Sequence, residues 1–150
     1  MTGRTFSFEI NRGTRAPAAT LFDLETDGAK WSQWAKPLIV QSSWEQPGIP
    51  QPDGVGAVRK VGMWPMLMRE KTVVYEQDRR HVYEQIGPRL PAKNYRAEVV
   101  LTPTAGGTDL RWKGSFTEGI RGSGPVMLVF LRGVVRFLSW RLVSAAERVT

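Results

Sequence analysis

The chain has no cysteine and a single histidine, His81. Disulfides, thiolate nucleophiles and Cys-based metal sites are therefore excluded, and zinc would have to be held by carboxylates alone. No metal and no cofactor are expected. There is no P-loop and no GxSxG. Gly54-Val55-Gly56 lacks the third glycine and the strand-to-helix setting of a dinucleotide fingerprint. Long uncharged apolar runs are also missing. The nearest, Val126 to Val149, is broken by Arg132, Arg136, Arg141 and Arg148, so no transmembrane segment is expected. Met1-Thr2-Gly3-Arg4 leads into a strand-like stretch without a basic-then-apolar leader, which reads as a cytoplasmic protein.

Acidic residues are the minority, 14 against 21 Lys and Arg, for a net charge of +7. The excess favours acidic partners such as nucleic acid, anionic lipid or an acidic carrier protein. No dense basic block occurs, so a solvated basic surface is the simpler reading. Aromatic and basic residues are not interleaved as in RNA-binding strands, and no nucleic acid is expected. With 150 residues, 41% hydrophobic and six of them tryptophan, the chain can build the core of one domain over residues 1–150.

Thr5 to Arg12 alternates, with Phe6, Phe8 and Ile10 on one face. Pro17 opens a short helix, and Asp27 can cap a second that carries Trp31 and Trp34 and ends at Pro37. Strands follow around Leu38–Glu45, Gly56–Gly62, Met66–Glu76 and His81–Gly87, separated by Pro- and Gly-rich loops at 46–54 and 88–92 that could gate a pocket. In the last hairpin, pairing Leu101 with Leu110 sets Val99 against Trp112, Ala97 against Gly114 and Tyr95 against Phe116. The other face then matches Glu98 with Lys113. Gly119, Gly122 and Gly124 form a joint before a helix over Pro125 to Val149, about 37 Å long with a broad apolar stripe.

Hairpin-length links imply an α+β fold: a curved antiparallel sheet of about seven strands wrapped around the long C-terminal helix, with two short helices after the first strand. The gap between sheet and helix is the expected apolar pocket. Ala16-Pro17-Ala18, Trp31-Ser32-Gln33-Trp34, Asp53-Gly54-Val55-Gly56-Ala57-Val58-Arg59 and Gly106-Gly107-Thr108-Asp109-Leu110-Arg111-Trp112 before the long helix resemble the START/Bet v 1-like helix-grip proteins. Within them, the polyketide cyclase/dehydratase-like (SRPBCC) group is the nearest in pattern. The resemblance spans nearly the whole chain. It implies a cavity for lipids, polyketides, quinones or similar apolar molecules, and leaves carrier and catalyst both open.

Candidate lining residues are Phe8, Val99, Trp112, Phe116, Phe130, Val134 and Phe137. Trp64, Met66 and Met68 form an unusually apolar hairpin that reads equally as a pocket mouth, a core end or a dimer contact. Monomer and homodimer both stand. A cyclase or dehydratase would need an acid–base pair, for which Glu70, Glu84 and Tyr95 are the candidates. Glu70 shares strand parity with Met68, Thr72 and Val74, and Glu84 with Val82 and Ile86; solvent-facing carboxylates are the commoner case for both. Tyr95 is placed on the apolar face, and His81, at the end of a turn, is expected at the surface.

Overall fold

The computed structural model describes residues 3–50, 52–63, 66–88 and 91–149. Its elements are β1 (Thr5–Thr14), α1 (Ala18–Thr26), α2 (Trp31–Trp34), β2 (Gln41–Gln46), β3 (Val58–Met63), β4 (Met66–Glu76), β5 (Arg80–Gly87), β6 (Ala92–Thr104), β7 (Gly107–Glu118) and α3 (Gly124–Arg148). The strands form one antiparallel seven-stranded sheet in the order β1-β7-β6-β5-β4-β3-β2. Every strand after β1 pairs with its sequence neighbour, as hairpin-length links require, and β1 closes against β7. The architecture is the expected helix-grip arrangement.

The β6–β7 register carries Leu101↔Leu110, Val99↔Trp112, Ala97↔Gly114 and Glu98↔Lys113 as expected. It departs at one end. Lys93 pairs with Thr117 and Arg96 with Ser115, so Asn94 and Tyr95 together stand against Phe116. Asn94 takes the left-handed conformation (φ 55°) that permits this bulge, and asparagine tolerates it better than most residues. At the joint before α3, Gly122 also has a left-handed φ, of 86°. Pro125 lies in the first turn of the helix.

α3 lies along β1 and β7 and against α1 and α2. The interior there is packed: Trp31, Trp34, Trp112, Phe22, Phe116, Leu110 and Leu142 are all fully buried. The gap expected between helix and sheet is filled in this region by the indoles of α2 and β7. Trp31 meets Trp34 at 4.8 Å and Trp112 at 6.0 Å between ring centres. Among the described residues, no helix is long and apolar enough to cross a membrane.

Gly114 shows why the core closes at β1. Phe8 pairs with it directly, and its ring lies over the bare backbone. A Cβ at Gly114 would stand 2.3 Å from Phe8 Cζ. Replacement by valine should therefore cost about 1–3 kcal/mol of stability by overpacking, measured by denaturant unfolding. Combining it with Phe8→Leu should recover part of that loss, and a merely additive double mutant would contradict the assignment.

Candidate functional site

Directly paired residues share a face of the sheet. One row across the concave face runs Phe8, Gly114, Ala97, Tyr83 and Thr72; the next runs Ile10, Trp112, Val99, His81 and Tyr75. A third begins Arg59, Glu70, Gln85. The β4–β5 ladder slips between Thr72 and Val74, which returns Tyr75 rather than Val74 to the inner face. The half of the sheet near β1 and β7 is thus apolar inside, whereas the half near β3 to β5 carries polar side chains into the interior.

Those side chains form one connected set around Arg59. Its guanidinium lies 4.3 Å from the Trp31 ring centre and 4.5 Å from that of Tyr83, so two aromatic faces flank the cation. Nε donates to Glu70 Oε1 at 3.0 Å. Nη1 donates to the Glu25 carbonyl at 2.6 Å and to Glu25 Oε2 at 3.3 Å. The same Glu25 carbonyl accepts from Trp31 Nε1 at 2.7 Å. His81 Nδ1 lies 2.8 Å from Glu25 Oε2, and its Nε2 lies 2.9 Å from Thr72 Oγ1. An ionised carboxylate only accepts, so Nδ1 carries the proton. Arg59, Glu25, Glu70, Thr72 and His81 are all buried. Two buried donors, Arg59 Nη2 and Trp112 Nε1, have no partner among the described residues; both groups pack on Trp31.

The two carboxyls are pushed apart. Burial by itself raises Glu25, but His81 and then Arg59 outweigh it and hold that carboxyl below its usual range. Burial also raises Glu70, and here the attraction of Arg59 does not offset it, so Glu70 stays above the ordinary carboxyl value. Tyr95 is raised as well, by burial first and then by Glu70, which puts the phenol within electrostatic reach of that carboxyl. Tyr83 is raised by burial, Glu70 and Tyr95 in turn. An acid kept weak beside two phenols can donate or accept a proton.

Beyond Glu84↔Arg96 the β5–β6 pairing stops. A cleft of about 440 Å³ opens where the strands part, lined by Gln85–Pro88 and Ala92–Tyr95. Gln85 lines one side of it, donating to the Pro88 carbonyl at 3.0 Å and to Met68 Sδ at 3.7 Å. Of the three acid–base candidates, Glu70 and Tyr95 are buried. Glu84 is half-exposed on the outer face, 3.8 Å from Arg96. Phe8, Val99, Trp112 and Phe116 belong to the packed core, and Met68, Val134 and Phe137 pack partly buried against it. Met66 is exposed at its hairpin, and Phe130 lies on the solvent side of α3 rather than between helix and sheet. Trp64 lies outside the described residues.

The expectation of a surface His81 is corrected: the ring is fully buried, because His81 pairs with Val99 and so shares its inner face. Glu25, Arg59 and Thr72 were not anticipated as site residues. A signal for Arg59 is visible in Ala57-Val58-Arg59-Lys60-Val61, where alternation puts the arginine on the same face as Val61. Glu25 offers no such signal, since only tertiary packing brings α1 over β3.

The depressed Glu25 carboxyl makes stability depend on pH. Because its folded value lies below the unfolded one, about 4.3, its contribution is complete above that pH and is lost as pH falls through the folded value. Glu25→Gln should cost about 2 kcal/mol at pH 7. The gap to the unsubstituted protein should close on acidification, as read from denaturant unfolding across a pH series. A gap independent of pH would show that the carboxylate charge is not what holds α1 to the sheet.

The comparisons agree with this architecture. Protein MLL2253 from Mesorhizobium loti superposes with a TM-score of 0.75 at 15% identity, covering 97% of this chain and 99% of that one. Ara h 8.0201 superposes with a TM-score of 0.70 at 16% identity, covering 94% and 99%. At such identities the likeness is one of fold. No curated protein sequence matches. Residues 5–147, nearly the whole chain, match the family described as "Polyketide cyclase / dehydrase and lipid transport". The chain therefore belongs to that family, within the START/Bet v 1-like superfamily that its motifs resemble.

Proposed function

We propose that the protein binds a hydrophobic small molecule bearing at least one hydrogen-bonding oxygen, admitted between β5 and β6 and received on the concave face by Tyr95 and Glu70. The observation that carries this reading is the cleft itself, which opens at a break in strand pairing and has the buried Tyr95 in its lining. Apolar area removed from water supplies the affinity, at roughly 25 cal/mol per Å², and the polar groups orient the ligand. Binding would take place within one domain of a cytoplasmic protein.

The test is native mass spectrometry of the purified protein, followed by extraction and identification of what it carries, and titration with fatty acids, quinones and polycyclic phenols. Ile86 is an exposed residue of the cleft, so Ile86→Trp narrows the mouth without touching the core. It should weaken binding about tenfold or more, equivalent to about 1.4 kcal/mol. An empty protein that ignores the whole panel, or an Ile86→Trp variant that binds as before, would overturn the reading.

A second reading is favoured by one feature, the raised and buried Glu70 carboxyl within electrostatic reach of Tyr95. On a polyketide-like chain the pair could move a proton between an α-carbon and a carbonyl oxygen, as cyclisation and dehydration require. Incubating the bound compound should then yield a species lighter by one water, and Glu70→Gln should retain binding while abolishing that change. Unaltered ligand throughout would leave the protein a carrier.

A further inference from the structure

The long helix has an outer face that the described residues leave largely uncovered. Val126, Val129, Phe130 and Trp140 are 72%, 73%, 59% and 49% exposed. On a helix these positions fall on one stripe, with Gly133 and the partly buried Phe137 between them, extending about 21 Å along the axis. The buried residues of α3, including Val135, Leu138, Leu142 and Ala146, lie on the opposite side. Ile120, in the joint just before the helix, is exposed as well. Single exposed apolar residues are ordinary, but a continuous stripe of this length is not.

The charged residues from Gly119 to Ala146 all have one sign. Arg132 and Arg136, both exposed, run one turn apart along one edge, and exposed Arg121 stands at the N-terminal end. Arg141 lies toward the other edge, 5.7 Å from the Trp140 ring centre, with its Nε donating to the Trp34 carbonyl. From Gly119 to Ala146 the sequence contains no Asp or Glu. A second copy of the chain would bring the same arginines against this face with no carboxylate of its own stretch to meet them. The stripe is also convex, being the outside of a helix, and offers no groove for a peptide. A planar partner that is apolar within and negatively charged at its surface matches both properties.

We propose that the outer face of α3 docks on an anionic lipid bilayer. Val126, Val129, Phe130 and Trp140 enter the boundary between headgroups and acyl chains, and Arg121, Arg132 and Arg136 meet lipid phosphates. The helix lies flat on the surface and does not cross it. The inference does not depend on the internal ligand, because its face is separate from the cleft between β5 and β6.

Vesicle flotation tests it, using phosphatidylcholine alone and phosphatidylcholine mixed with phosphatidylglycerol. The protein should float with the anionic vesicles only, and added salt should release it. Val129→Ser with Phe130→Ser, and separately Arg132→Glu with Arg136→Glu, should each weaken binding about tenfold or more. All four residues are exposed, so the variants should fold, which circular dichroism checks. Brominated lipid should quench tryptophan fluorescence in the unsubstituted protein and much less in Trp140→Phe. No flotation with anionic vesicles, or binding indifferent to both pairs of substitutions, would overturn the proposal. So would a concentration-dependent dimer abolished by Val129→Ser, which would assign the face to a second copy.

Discussion

A guanidinium taken out of water must be neutralised and hydrogen-bonded where it sits, and Arg59 ties together the parts that meet this demand. Its cation lies between the faces of Trp31 and Tyr83 and donates to Glu25 and Glu70. Those four partners come from α2, β5, α1 and β4, while Arg59 itself belongs to β3. Satisfying one buried charge thus places two helices over three strands. The carbonyl of Glu25, at the end of α1, receives both Arg59 and Trp31, so the helix terminus is held by donors from two other elements. Buried charge of this kind costs desolvation that apolar residues would not, and its value lies in allowing few alternative arrangements.

The same arrangement divides the interior. Toward β1 and β7 the inner face is apolar and close-packed under α3, with Gly114 making room for the Phe8 ring. Toward β4 and β5 it is polar, and two bulges interrupt the pairing of β4 with β5. A third, at Asn94 and Tyr95, sits where β6 leaves β5. Bulges take residues out of the ladder and bend the strand. The irregularity opposite Gln85 and Gly87 and the bulge at Asn94 and Tyr95 coincide with the cleft.

α3 divides in a comparable way. Its inner face carries the leucines, alanines and Ser139 that close the core, and Arg12 of β1 reaches across to Ser139 and to the Arg136 carbonyl. Its outer face exposes Val126, Val129, Phe130 and Trp140, none of which belongs to that core. A helix apolar on more than one side has more buried area available than a lone domain uses, which is why the face points to something beyond the chain.

Element order, the closing hairpin and the long helix were legible in the sequence because they rest on local signals: alternation, turn residues and a broad apolar stripe. Leu101 with Leu110 and Glu98 with Lys113 pair as alternation requires. Alternation fails at a bulge, since one inserted residue reverses every side chain beyond it. That is why Val74 yields its expected place to Tyr75, and why Tyr95 does not simply face Phe116. The burial of His81, the inward turn of Glu70 and the role of Glu25 depended on contacts between residues far apart in the chain, |i−j| reaching 56 for His81 with Glu25. By itself the sequence determined the fold, through periodicity and punctuation that act over a few residues. Only the tertiary structure decided which charged side chains turned inward, because the energy of a buried charge is set by partners that the chain meets after it has folded.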